Sequence, residues 1–246
     1  MITLSGVTKS FEGTTVIDNF SATFDREKTF FLLGASGCGK STLIRLIIGL
    51  TKADSGDVLI DDKKIQNLGI LEISSTFGYV IQDAGLFPHL TARDNVLMPT
   101  RVHGWPKHRQ RERVAELGEI VQISDELLDK YPTQLSGGQK QRVGLMRALV
   151  LDPQYLLMDE PLSALDPIIR SDLQVELKQI FQRLKKTVIF VSHDLHEAGF
   201  LADTIYLVND GRIVQEGTLK DMENNPADDY VTRFVRSQLY PTDFGK

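Results

Sequence analysis

The sequence predicts an α/β protein built around a parallel sheet, with a helical segment inserted into it. Three observations carry that expectation. A short apolar run, Thr29 to Leu33, stops at a glycine-rich turn and gives way to helical sequence from Lys40 to Leu50, where Leu43, Ile44, Ile47 and Ile48 share one face. Two more compact apolar runs, Tyr155 to Met158 and Thr187 to Val191, flank a long amphipathic stretch with Leu173, Leu177, Ile180, Phe181 and Leu184 on one side. Strand, crossover helix, strand is the unit that makes strands of one sheet parallel. Finally, the chain between about Pro88 and Val150 is charged and helix-forming, without strand signals. It reads as a helical subdomain, 88–150, set into a core made of 1–87 and 151–246.

The remaining elements follow in order. Met1 to Thr8, Thr14 to Ile17 and Phe20 to Phe24 mix β-branched and aromatic residues between Gly and Asp, and read as short strands. Val58 to Ile60 and Phe77 to Ile81 read as two more. Asp166 is a good N-cap for the long amphipathic helix, and Pro167 suits its first position. Thr204 to Val208 and Arg212 to Gln215, joined by Asn209-Asp210-Gly211, form a closing hairpin. Asp228 to Arg236 reads as a final helix packing through Val231, Phe234 and Val235. No internal repeat or low-complexity tract interrupts this order.

Composition narrows the function classes. The 246 residues hold 28 Lys+Arg against 33 Asp+Glu, a net charge of −5, and 41% are hydrophobic, as in ordinary globular proteins. Mild acidity argues against nucleic acid as a partner, because phosphate-backbone binding rests on concentrated Lys and Arg. The five Lys and Arg between Arg101 and Arg113 face one Glu, and read as a solvated helix face that could also meet anionic lipid. No segment approaches the roughly 18 uninterrupted apolar residues of a spanning helix. The N-terminus lacks the pattern of a secretory leader, so a cytoplasmic location is expected. The one cysteine, Cys38, excludes an intrachain disulfide and a multi-cysteine metal site.

Gly34-Ala35-Ser36-Gly37-Cys38-Gly39-Lys40-Ser41, followed by Thr42, fits the pattern G-x-x-x-x-G-K-[ST] between a strand and a helix. Glycines let the backbone curl until successive N–H groups point inward and cradle an anion. The helix start adds its positive dipole end. Lys40 then reaches the β- and γ-phosphates, and Ser41 offers a hydroxyl to Mg²⁺. This pattern predicts a nucleoside triphosphate. Cys38 reads as a small loop residue that alkylation would turn into a block.

Tyr155 to Met158 runs into Asp159 and Glu160. Alone, such a pair also reads as a helix cap or a solvated turn. Downstream of a phosphate loop, Asp159 reads as a Mg²⁺ ligand acting through water, and Glu160 as the group that polarises the attacking water. Leu135-Ser136-Gly137-Gly138-Gln139 precedes a helix through Ala148. It reads equally as a flexible turn or as a second anion site at a helix N-terminus.

With that segment the chain resembles the nucleotide-binding subunit of ATP-binding cassette (ABC) transporters, from about residue 2 to 237. The resemblance implies a single P-loop ATPase domain, with a RecA-like core, an N-terminal antiparallel β subdomain and the inserted helices. It assigns Phe11 to the adenine and Gln82 to Mg²⁺ and the attacking water. His193, in Val191-Ser192-His193-Asp194, is assigned to the γ-phosphate. Ser136, Gly137, Gly138 and Gln139, with Asp166 of the Ser163 to Asp166 loop, are expected to contact ATP held by a second copy of the chain. A head-to-tail homodimer that closes on two ATP molecules and reopens on hydrolysis is implied, as are membrane permease subunits, an extracytoplasmic substrate-binding protein and a seat on the inner face of the membrane.

Asp83 to Thr91, Leu165 to Ser171 and Ile213 to Thr218 are most similar to importers of quaternary-ammonium osmoprotectants such as glycine betaine and choline. The apolar middle of the first segment is a plausible socket for a permease helix. Many of those subunits carry C-terminal regulatory (CBS) domains, and this sequence stops at Lys246, so regulation through such domains is not expected. An exporter or lipid-transport ATPase shares the same motifs. A soluble ABC protein of translation or DNA repair is disfavoured by length and charge.

Overall fold

The computed structural model describes residues 1–239. Its elements follow the chain as β1 (Ile2–Phe11), β2 (Thr14–Phe24), β3 (Thr29–Leu33), α1 (Lys40–Ile47), β4 (Ser55–Ile60), β5 (Lys63–Lys64), α2 (Ile70–Thr76) and β6 (Phe77–Val80). Next come α3 (Ala92–Val102), α4 (Lys107–Ile120), α5 (Asp125–Leu128), α6 (Gly137–Leu149), β7 (Tyr155–Asp159) and α7 (Pro167–Leu184). The chain then runs through β8 (Thr187–Ser192), α8 (Leu195–Leu201), β9 (Thr204–Asn209), β10 (Arg212–Gly217), α9 (Leu219–Asn224) and α10 (Asp229–Leu239). Positions 240–246 of the expected domain lie outside the described residues. The contacts divide the chain into Met1–Leu68 with the chain from Thr187 onward, and Gly69–Lys186. The expected helical subdomain, 88–150, falls inside the second unit and contains α3 to α6.

In the first unit, β2-β1-β4-β5 form an antiparallel sheet. β10-β9-β3-β8 run side by side, with β3 parallel to both neighbours and β9–β10 an antiparallel hairpin. All five residues of β3 are buried, as a strand covered on both faces requires. Phe31 pairs with Phe190 across β3 and β8, and their rings stack 4.5 Å apart. Phe24 and Phe30 pack with Tyr206, whose hydroxyl donates to the Thr23 carbonyl at 2.8 Å.

Two boundaries differ from the sequence reading. Thr14 to Ile17 and Phe20 to Phe24 are one strand, because the polar pair Asp18-Asn19 makes a bulge instead of a break. Asn19 takes a left-handed backbone (φ 48°), and its N–H reaches the Thr8 hydroxyl at 3.1 Å. The first helix ends at Ile47, not Leu50. Gly49 turns left-handed there (φ 73°) and donates to the Leu46 carbonyl. The β9–β10 hairpin turns on Asp210 and Gly211, both with positive φ, the combination a two-residue turn needs.

In the second unit, β6 and β7 are parallel, with Phe77 opposite Tyr155 and Val80 opposite Met158. α6 packs against β6 and α3. Asp166 caps α7 by accepting the Ile169 N–H at 3.1 Å, and Pro167 occupies the first turn. Leu173, Leu177, Ile180 and Phe181 are buried, while Leu184 is half-buried. α2 was not anticipated. Its apolar residues Ile70 and Leu71 are exposed, so no buried stripe marks it in the sequence. On α10, Val231 and Val235 are buried and Phe234 is half-buried.

Candidate active site

The phosphate loop leaves the end of β3 under tight steric control. A side chain at Gly34 would place its Cβ 2.2 Å from the Val208 carbonyl oxygen. Gly39, left-handed (φ 103°) at the start of α1, would meet Ile17 Cδ1 at 2.6 Å. The loop closes with the Cys38 N–H on the Ala35 carbonyl and the Gly211 N–H on the Cys38 carbonyl. Lys40 is only 4% exposed, yet its ammonium is satisfied, donating to the Gly34 and Ala35 carbonyls at 2.8 Å each. Ala35, Ser36 and Gly37 face solvent, while Ser41 and Thr42 are half-buried in the first turn of α1. That turn carries no acidic residue, so the helix dipole and Lys40 make the loop electropositive. Burial pushes the Cys38 thiol pKa up, against the smaller opposing pull of Lys40.

His193 follows β8. Because Leu33 and Ser192 are paired, the phosphate loop and His193 leave the same end of adjacent parallel strands. The His193 side chain is exposed. Beneath it, the Ser192 hydroxyl donates to the buried Glu197 carboxylate at 2.6 Å and accepts the Asp194 N–H at 3.0 Å. Phe11 ends β1 and is 46% exposed, with the Lys9 ammonium 5.3 Å from its ring centre.

The second unit gathers its own set at the corresponding end of β6 and β7. Asp159 is 9% exposed and accepts the Tyr79 hydroxyl at 3.3 Å. Glu160, next along, adopts a left-handed backbone (φ 47°), and its carbonyl accepts the Ser163 hydroxyl at 2.9 Å. The same hydroxyl accepts the Gln82 side-chain amide at 3.3 Å, so Ser163 links Gln82 to Glu160. After Gln82, Asp83, Ala84 and Gly85 are all left-handed (φ 58°, 59° and 54°). Side-chain-bearing residues pay about 1 kcal/mol each for that conformation. Arg147 of α6 holds the run, donating to the Ala84 and Gly85 carbonyls at 2.6 and 2.8 Å. Asn95, fully buried on α3, ties down the next stretch by bonding the main chain of Phe87, Leu90 and Thr91. Ala84 of the expected apolar socket is buried, whereas Phe87 is 41% exposed.

Ser136 caps α6. Its hydroxyl accepts the Gln139 N–H at 3.3 Å, and the Gln139 side chain accepts the Ser136 N–H at 2.9 Å. Gly137 and Gly138 let this end sit close to Leu165 and Ile169, around Asp166. Ser136, Gln139, Arg142, Ile169 and Asp172 line a cavity of about 280 Å³ there. Arg147, Asn95 and the linking role of Ser163 were not legible in the sequence.

A phosphate loop on one parallel strand, an acidic pair on another and an inserted set of helices define a P-loop protein of the α/β class. The profile of the ABC transporter family matches residues 17–163, and the chain belongs to that family. It is 41% identical over 236 residues to the choline transport ATP-binding protein OpuBA of Bacillus subtilis (strain 168), covering 96% of this chain and 62% of that protein. It is 40% identical over 240 residues to the glycine betaine uptake system ATP-binding protein YehX of Escherichia coli (strain K12), covering 97% and 78%. Among solved structures, it superposes with a TM-score of 0.78 and 32% identity on a dimeric ATP-binding cassette in a post-hydrolysis state bound to ADP and Pi, covering 89% of this chain and 99% of that one. Among the described residues, no helix is long and apolar enough to cross a membrane.

Proposed function

We propose that this chain is the ATP-hydrolysing subunit of a membrane ABC importer of a small solute such as a quaternary-ammonium osmoprotectant. The observation that carries the chemistry is the phosphate loop, with Lys40 buried and poised on the loop's own carbonyls. The loop N–H groups and the start of α1 bind the triphosphate, and Phe11 takes the adenine. Glu160 orients the attacking water and takes its proton as oxygen bonds to the γ-phosphorus and ADP leaves. His193 donates to a γ-phosphate oxygen. The last rung of the β3–β8 register, Leu33 with Ser192, immediately precedes Gly34 of the phosphate loop and His193.

The donors fit Mg²⁺. Ser41, Gln82 and Asp159 can each offer an oxygen, the donor a hard cation prefers. Ser41 and Gln82 would hold the ion directly and Asp159 through water, where it would supply positive charge to the phosphates. Ser136 to Gln139 and Asp166 complete the site of a second copy, giving an ATP-dependent homodimer that permease subunits read from the inner face of the membrane. The dimeric state of the solved cassette and the names of the relatives support this reading. A substrate-binding protein outside the membrane completes the importer.

Purified protein should release phosphate from MgATP. Glu160→Gln should keep ATP binding, lose about 10²- to 10⁴-fold in turnover, and shift from 27.6 kDa to twice that mass when ATP is added. A monomer with ATP demonstrably bound removes the homodimer. Capture of tagged Glu160→Gln from native membranes, followed by mass spectrometry, should bring down a permease and a binding protein whose ligand can be tested, starting with choline and betaine. Recovery of ribosomal proteins alone removes transport.

A further inference from the structure

We propose that Gln238, on α10, is a positioning residue for His193, so that the C-terminal helix sets the placement of the γ-phosphate contact. The inference rests on the reading of His193 given above. His193 and Asp194 form a two-residue link between β8 and α8. The side chain of Gln238 spans this link. Its amide nitrogen donates to the His193 carbonyl at 2.8 Å, and its amide oxygen accepts the Leu195 N–H at 2.7 Å. A carbonyl and an N–H two residues apart are the pair a neighbouring strand would satisfy, and here one primary amide satisfies both. The Gln238 main-chain carbonyl also lies 3.3 Å from the His196 ring nitrogen.

Local tethers also hold the link. Ser192 holds the Asp194 N–H, and Asp194 caps α8 by accepting the N–H groups of His196 and Glu197. Gln238 arrives from 45 residues along the chain. It is placed by Val231 and Val235, buried on the same face of α10 at helical spacing, and by Tyr230 stacked against Phe234. The His193 side chain is exposed, and the hold on the main chain beneath it contributes to the aim of its ring.

Gln238→Ala and the isosteric Gln238→Glu test this on the whole chain, by steady-state phosphate release, ATP affinity and amide hydrogen exchange. The glutamate keeps an acceptor for the Leu195 N–H but cannot donate to the His193 carbonyl, and it preserves packing should the alanine variant unfold. In both variants kcat should fall about tenfold, with KM and Kd for ATP within about twofold of wild type. Exchange at Leu195 should accelerate in the alanine variant and stay slow in the glutamate variant. In a His193→Ala background, Gln238→Ala should change the residual rate by less than about twofold, since it acts through the histidine. Wild-type kcat in both variants overturns the inference, as does an undiminished loss in the His193→Ala background. A wild-type chain that binds ATP without releasing phosphate fails the functional reading and the inference together. Wild-type turnover with silent Gln238 variants fails the inference alone.

Discussion

The phosphate loop and the loop after Gln82 are both short, left-handed in places and set at the ends of parallel strands, yet they are held in opposite ways. The phosphate loop supplies its own cation, while Val208, Ile17 and Gly211 bound it from outside. Its left-handed positions Gly37 and Gly39 are glycines, and its buried cation bonds carbonyls five and six residues away. The Gln82 loop puts Asp83 and Ala84 in the same backbone region and relies on Arg147, more than sixty residues on, to keep them there. Burial without a carboxylate pushes the Arg147 guanidinium pKa down. The first loop is a preformed cradle, while the second is a strained turn clamped from another helix.

This contrast can be broken in several places. The largest effect falls on the cradle, where Lys40→Ala should weaken ATP binding by about 100-fold and, because the Gly34 and Ala35 carbonyls lose their charged donor, cost about 2–3 kcal/mol in denaturant unfolding. Unchanged ATP binding would remove Lys40 from the phosphate contacts. Next is the clamp. Arg147→Met should cost about 2–3 kcal/mol in denaturant unfolding, because two carbonyls lose charge-assisted partners, and it should accelerate hydrogen exchange at residues 83–86. Smaller and opposite in sign, Asp83→Gly should stabilise by up to about 1 kcal/mol by removing left-handed strain. Destabilisation there would mean the Asp83 side chain contributes more than its backbone costs. The mildest probe is Cys38. Since burial raises its thiol pKa, iodoacetamide should label it slowly at neutral pH and faster as pH rises through and beyond the ordinary thiol range. MgATP should slow labelling, and identical rates with and without nucleotide would separate Cys38 from the binding loop.

The same contrast explains what could be read from the sequence. The phosphate loop, the Asp210-Gly211 hairpin and the Asp166-Pro167 helix start were legible because each is specified by adjacent residues whose chemistry has few alternatives. The continuity of β2 was hidden because Asp18-Asn19 looks like a turn until the Thr8 hydroxyl is brought opposite. Arg147, Asn95 and Gln238 were invisible for a related reason. Each reads as an ordinary polar helix residue, and its main-chain partners are fixed only once distant segments have folded together.

The stacked pair Phe31 and Phe190 carries a consequence beyond packing. Strands β3 and β8 are both apolar, and such ladders can slide. A slip of one residue would carry His193 about 3.3 Å along the sheet and turn it to the opposite face. Two flat rings lying on each other at one rung act as a vernier, fixing the offset between the loop after Leu33 and the histidine after Ser192. The alignment of the site is therefore written partly in two residues that never meet solvent, and replacing one with a smaller side chain should blur it without touching a single polar group.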